Sequence, residues 1–204
     1  MSEFTYEKND TRRRLECYEW DNVWFEHTEK TDKKRIYYVG DSISCGIRRI
    51  ATAVSENELL FDGFGTSKAI DNPFFIESLK LYASQLNRMD AILFNNGLHG
   101  WHLTEAEYQE YYDAVIGEIL KIYPEVPLFI LLTTHLSDPN RAGRVVERNK
   151  GALRVAEKYG LKVIDIYTLS KENDNLLATD GTHFTQDGYK LFAEKIVSVL
   201  NSEL

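Results

Sequence analysis

Residues 35–45 read Arg35-Ile-Tyr-Tyr-Val-Gly-Asp-Ser-Ile-Ser-Cys45. A short apolar run, Ile36 to Val39, is closed by Gly40-Asp41. That pattern spells a buried strand that stops abruptly. From Ser42 to Val54 the apolar residues Ile43, Ile47, Ile50 and Val54 recur at helical spacing, which predicts a helix with one buried face. Ser42 then stands on the turn between strand and helix. Backbone N–H groups there lack intrahelical partners, and the helix dipole favours negative charge. A lone Ser in that place is most simply an N-cap. Two stretches much later in the chain give it a further reading.

Downstream the same unit repeats. Short apolar runs at Glu58–Phe61, Ala91–Phe94, Leu128–Thr133 and Lys162–Ile166 read as strands. Between them lie helical patterns over Pro73–Asn87, from Thr104 to about Tyr123, and from about Arg141 to Tyr159, with a last helix over Asp187–Leu200. Thr104-Glu-Ala-Glu107 is a capping box, and Gly160 is placed as a C-cap. Five apolar strands alternating with helices imply a parallel sheet covered on both faces. The expected architecture is an α/β/α three-layer sandwich, flavodoxin-like, with strand order 2-1-3-4-5. Its ligand crevice lies beyond the carboxyl ends of the strands. The loops after the first three strands, at Ser42, at Asp62–Ser67 and at Asn95–His99, would border it.

Residues 1–34 are polar and aromatic with no sustained period, and form an N-terminal extension to a domain over 35–204. Within it, Cys17–Phe25 has short alternations that suit an added strand or a hairpin. The 204 residues, 43% hydrophobic and 27% charged, suit a single core of good size. The net charge of -8 speaks against nucleic acid as the main partner. Arg12-Arg13-Arg14 and Lys33-Lys34-Arg35 are short and lie among acids, so they read as solvated surface. Two cysteines, Cys17 and Cys45, make neither a disulfide framework nor a metal site. No apolar run reaches the roughly 18 residues of a membrane span, and the N-terminus has no signal-peptide core. The expectation is a cytoplasmic protein with no membrane or nucleic-acid partner.

The second informative stretch is Thr179-Asp180-Gly-Thr-His183-Phe-Thr-Gln-Asp-Gly188. An Asp three residues before a His can hold the imidazole through Nδ1–H, leaving the other nitrogen to take a proton from a hydroxyl. Ser42 supplies such a hydroxyl. On its own, Asp-x-x-His reads more simply as an Asx-turn beside a surface His. The third stretch is Phe94-Asn95-Asn96-Gly97-Leu98-His99-Gly100, where polar groups at a strand end could donate to a developing oxyanion. Gly63 and Gly65 could let a backbone N–H approach the same point. Each stretch alone suits a tight turn. Together they bring a nucleophile, a base with its orienter and oxyanion donors to one sheet edge.

These blocks resemble the SGNH hydrolases, also called GDSL esterases or lipases. Gly40-Asp41-Ser42-Ile43 is similar to their nucleophile block, and Asp180-Gly-Thr-His183 to their last block. The resemblance spans about 35–200 and implies Ser42, Asp180 and His183 as catalytic. For the oxyanion hole it implies the N–H of Ser42 and a glycine, best matched by Gly65. The third block departs from Gly-x-Asn-Asp: Gly97-Leu98-His99-Gly100 puts His99 where Asn is usual. Asn95 or Asn96 could supply the amide instead. The variant resembles a subgroup associated with carbohydrate esters, so the implied substrate is a small-molecule ester such as an acylated sugar, with no cofactor. Asp41, Trp101 and His135 complete the substrate-binding candidates. A thioesterase or lysophospholipase on the same three residues, and a non-catalytic carbohydrate-binding module, are the alternatives. A metal reading of His99, His102 and His135 lacks ligand spacing, and Arg148 and Asn149 read as helix surface.

Overall fold

A run of apolar residues in a strand needs cover on both faces, and the first strand of the parallel sheet has it. The structure, a computed structural model, describes residues 9–10, 15–16 and 18–204. Strand β4 (Lys34–Gly40) runs through its centre. Ile36 and Tyr38 point into one layer, with Ile47 of helix α1 (Ser42–Val54) and with Phe192, Ile196 and Leu200 of helix α6 (Gln186–Glu203). Tyr37 and Val39 point into the other, with Leu79 of α2 (Phe75–Ala83), Ile116 of α3 (Glu105–Ile122) and Val155 of α4 (Pro139–Tyr159). The two-residue period of the strand thus divides one apolar run between two cores.

The remaining strands are β5 (Leu59–Thr66), β6 (Ala91–Phe94), β7 (Leu128–Leu131) and β8 (Lys162–Ile164). With β4 they form the expected parallel order, β5-β4-β6-β7-β8. The sheet has a sixth strand. β3 (Asp21–Trp24) pairs antiparallel with β5, from Asp21 opposite Thr66 to Trp24 opposite Gly63. So part of the N-terminal segment is the added strand that its alternation suggested. Two further short strands, β1 (Asn9–Asp10) and β2 (Leu15–Glu16), pair only with each other. Cys17 and Arg12 to Arg14 lie outside the described residues.

Arg35 corrects one expectation. It is buried rather than solvated. Its Nε and Nη2 donate to Asp62 at 2.8 and 2.6 Å, and Nη2 also donates to the Glu26 carbonyl at 2.7 Å. The Glu26 N–H donates to the same carboxylate at 2.9 Å. A buried guanidinium needs partners of this quality, and these tie the segment after β3 to the sheet.

Glycines at 63 and 65 were expected in a loop, yet both lie within β5. The strand runs five residues past the end of its apolar run, and the last four pair with β3. The glycines serve α1 instead. A Cβ on Gly63 would meet the Arg48 side chain, and one on Gly65 would meet Cys45 Sγ. The helices otherwise follow the sequence pattern. Thr104 and Glu107 form the capping box, and Gly160 closes α4 with a φ of 66°. The short α5 (Tyr167–Glu172) was not foreseen. No described helix is long and apolar enough to cross a membrane.

Candidate active site

Gly40 ends β4 and Asp41 caps α1, its Oδ1 accepting the Ile43 N–H at 2.9 Å. Ser42 is therefore the first residue of the helix, at the carboxyl end of the central strand. The partner comes from 141 residues away: His183 Nε2 lies 2.8 Å from Ser42 Oγ. On the other side of the ring, Nδ1 lies 2.7 Å from Asp180 Oδ2. The tautomer that satisfies both contacts donates from Nδ1–H to the carboxylate and accepts the hydroxyl proton at Nε2.

Local geometry makes Asp180 and His183 one unit. Asp180 Oδ1 accepts the N–H groups of Thr182 and His183, each at 2.9 Å. Gly181 takes a φ of 72° inside that turn. The Ala178 N–H donates to the His183 carbonyl at 2.7 Å, and Thr185 caps α6 directly after. Partial burial raises the Asp180 carboxyl, but the two amide N–H groups and the imidazole outweigh it and hold it at about 2. The carboxylate is thus charged at any ordinary pH.

Ser42, His183 and Asp180 open onto a cavity of about 540 Å³, a size typical of small-molecule sites. Trp20, Leu98, His99, Trp101 and Leu136 line it together with Asp138, Arg141 and Thr182. His99 is 7% exposed. Burial, with the charges of Arg148 and His183, pushes its imidazole down to about 4. At neutral pH it is an uncharged ring with one N–H to give.

The His99 side of the cavity rests on α4. Arg148 is 1% exposed, which corrects its reading as helix surface. Its Nη1 donates to the carbonyls of Gly97 at 3.0 Å and His99 at 2.6 Å, and its Nη2 to that of Gly100 at 2.8 Å. Its Nε meets Glu105 at 2.9 Å, and its guanidinium lies 4.3 Å from the ring centres of both Trp101 and Tyr108. Arg144 bonds the Trp101 and Leu103 carbonyls and Glu105. Asn149 is buried too: it accepts from the Thr133 N–H and donates to the Thr133 carbonyl, both at 2.9 Å.

Other candidates are not brought together. Asn95 donates to the Leu131 carbonyl and Thr133 Oγ1, and Asn96 to the Lys68 carbonyl, so both amides face structure behind the cavity. Gly65 sits within the sheet, paired with Gly40 and Asn22, and is not a lining residue. Asp41 is buried as a cap, and burial raises its carboxyl to about 6. His135 lies off the cavity, its N–H bonded to Ser170 and its ring edge-on to Tyr167. His102 pairs with Asp71 at 2.9 Å, away from His99. Among the described residues no group of three His, Cys, Asp or Glu is placed to hold a metal ion.

Sequence reasoning missed Trp20, Arg144 and Arg148. Trp20 lies in a stretch whose short alternations suited an added strand but said nothing of where that strand would pair. The arginines did carry one: Arg141, Arg144 and Arg148 recur at i, i+3 and i+7, on one helical face.

No family model matches the sequence, and no curated protein does. Solved structures match through the fold. A lipase/acylhydrolase from Enterococcus faecalis superposes with a TM-score of 0.67 at 21% identity, over 84% of this chain and 97% of that one. A member of the lipolytic protein G-D-S-L family from Veillonella parvula gives 0.65 at 21%, over 82% and 98%. Est24, a carbohydrate acetylesterase from Sinorhizobium meliloti, gives 0.67 at 13%, over 84% and 100%. The chain thus has the three-layer α/β/α fold of the SGNH, or GDSL-type, hydrolases.

Proposed function

We propose that this chain is a serine ester hydrolase that removes a short acyl group, such as acetyl, from a carbohydrate. One observation carries the reading: the unbroken contact from Asp180 through His183 to Ser42 Oγ, at 2.7 and 2.8 Å. His183 Nε2 takes the hydroxyl proton as Ser42 Oγ attacks the ester carbonyl. The oxyanion accepts from the Ser42 backbone N–H, at the start of α1, and from the neutral His99 ring. His183 gives its proton to the departing alcohol oxygen, leaving an acyl-serine. Water, deprotonated by the same nitrogen, then releases the acid and restores the hydroxyl. Asp180 stays charged throughout and steadies the imidazolium.

The carbohydrate assignment is supported by neighbours of the same fold described as a carbohydrate acetylesterase and an acetyl xylan esterase. A second reading has its own observation. Trp20, Leu98 and Leu136 give the cavity an apolar stretch, which suits a longer acyl chain, as in a thioesterase or lysophospholipase. A series of aryl esters of increasing chain length, followed by acetylated sugars, separates the two. Optimal turnover at acetyl supports the first reading, and an optimum at eight carbons or more overturns it. Reaction of Ser42 with a fluorophosphonate tests catalysis itself: an inert Ser42 leaves only a binding module.

A further inference from the structure

We infer that Arg148 is a positioning residue: its buried guanidinium fixes the Gly97–Gly100 backbone and so holds the His99 ring toward the chamber it shares with Ser42. The inference rests on the hydrolase reading above. The segment after β6 has no ladder to hold it. Gly100 takes a φ of 70°, and a Cβ on Gly97 would strike Thr133. Three of its carbonyls instead share one donor group, the Arg148 fork. A planar fork with fixed N–H directions sets the relative positions of three acceptors in a way a point charge cannot.

Stability alone is a poor reason for this arrangement. Burying a guanidinium is costly, and a well-packed apolar residue between Trp101 and Tyr108 would fill the same space. Among the described residues the carboxylate paired with it, Glu105, is shared with Arg144. What the apolar residue could not do is hold the backbone on both sides of His99. The charge of Arg148 also reinforces burial and His183 in keeping the His99 ring neutral, the state in which one nitrogen donates while the ring stays uncharged.

The test is a double-mutant cycle between Arg148→Lys and His99→Ala, with turnover of an aryl acetate per folded molecule as readout. Lys keeps the charge but not the fork. Alone, Arg148→Lys should lower kcat roughly tenfold, short of the 10²–10³ expected for losing one oxyanion donor outright, with KM changed less than about twofold. On the His99→Ala background it should cost almost nothing further. Additive losses, or unchanged kcat with a lowered Tm, overturn the inference. If Arg148→Lys does not fold, Glu105→Gln loosens the same guanidinium through Nε and should give a smaller loss with the same coupling. Unchanged turnover in that variant overturns it equally. Imidazole resonances give a readout independent of chemistry: in either variant the His99 ring signals should move while those of His135 stay. Unmoved His99 signals refute the positioning role even if no ester is ever turned over. An unreactive wild-type Ser42 refutes the hydrolase reading instead.

Discussion

The cavity has two unlike sides. Asp180 and His183 stand on a four-residue turn with side chains 53% and 40% exposed, held mainly by bonds within the turn itself. Across from them, His99 sits on a segment held from α4, by a guanidinium about fifty residues further along the chain and 1% exposed. The first side is local and wet; the second is long-range and dry. A proton must enter and leave the first, whereas the second has only to present a fixed dipole, which works best where water is absent. The difference in burial follows the division of labour in the proposed reaction.

The largest effect should come from breaking the contact where the two sides meet. Ser42→Ala should lower kcat by about 10⁶, by analogy with protease triads, measured on an aryl acetate against the uncatalysed rate. Retained turnover would remove the basis of the comparison. On the wet side, Asp180→Asn should cost about 10⁴ in kcat with the fold intact, because an amide can favour the wrong imidazole tautomer. On the dry side, His99→Ala should cost about 10² to 10³ in kcat with little change in KM. Because burial holds His99 near 4, it is already neutral where the enzyme would work. The acid limb of the pH–rate profile should therefore keep its midpoint in that variant, and a displaced midpoint would mean that His99 takes part in proton transfer.

The smallest effect concerns stability. His99 is depressed from 6.5 to about 4, so the unfolded chain binds more protons between those values and acid destabilises the fold there. Asp41, raised from 3.8 to about 6 by burial, acts in the opposite sense: its folded form holds the extra proton, and stability falls as pH rises through that window. The two slopes oppose one another between about pH 4 and 6. Asp41→Asn, which can still accept the Ile43 N–H, removes one of them. Its Tm should climb more steeply than that of the wild type from pH 4 to 6.

The wet side was legible in the sequence because its chemistry is written in two short runs, each local to a strand end or a helix start. Ser42 follows an apolar strand directly, and Asp180 and His183 are three apart. The parallel order was equally readable from the alternation of apolar runs and helical patterns. On the dry side His99 itself could be picked out, but not what holds it. Nothing within α4 says that Arg148 will find three carbonyls, since those acceptors lie on a segment far away in sequence. The glycines of β5 misled for a related reason: they mark close approach of α1, not a turn, and the strand that pairs with them comes from a stretch whose alternation did not say which edge it would join. Trp20 reaches the cavity on that same stretch, so its place depended on tertiary pairing alone.

Strand β3 has one more consequence. Every residue of β5 from Leu59 to Thr66 is buried, and β3 covers its outer hydrogen-bonding edge with four residues ending next to a buried carboxylate, Asp62. A chain trimmed to begin at Arg35, where the family resemblance starts, would bare the amides and carbonyls of the four residues that β3 pairs, Gly63–Thr66. Such an edge is a template for a second molecule. A shortened protein should therefore aggregate on concentration even with Ser42, Asp180 and His183 intact, and its insolubility would say nothing about catalysis.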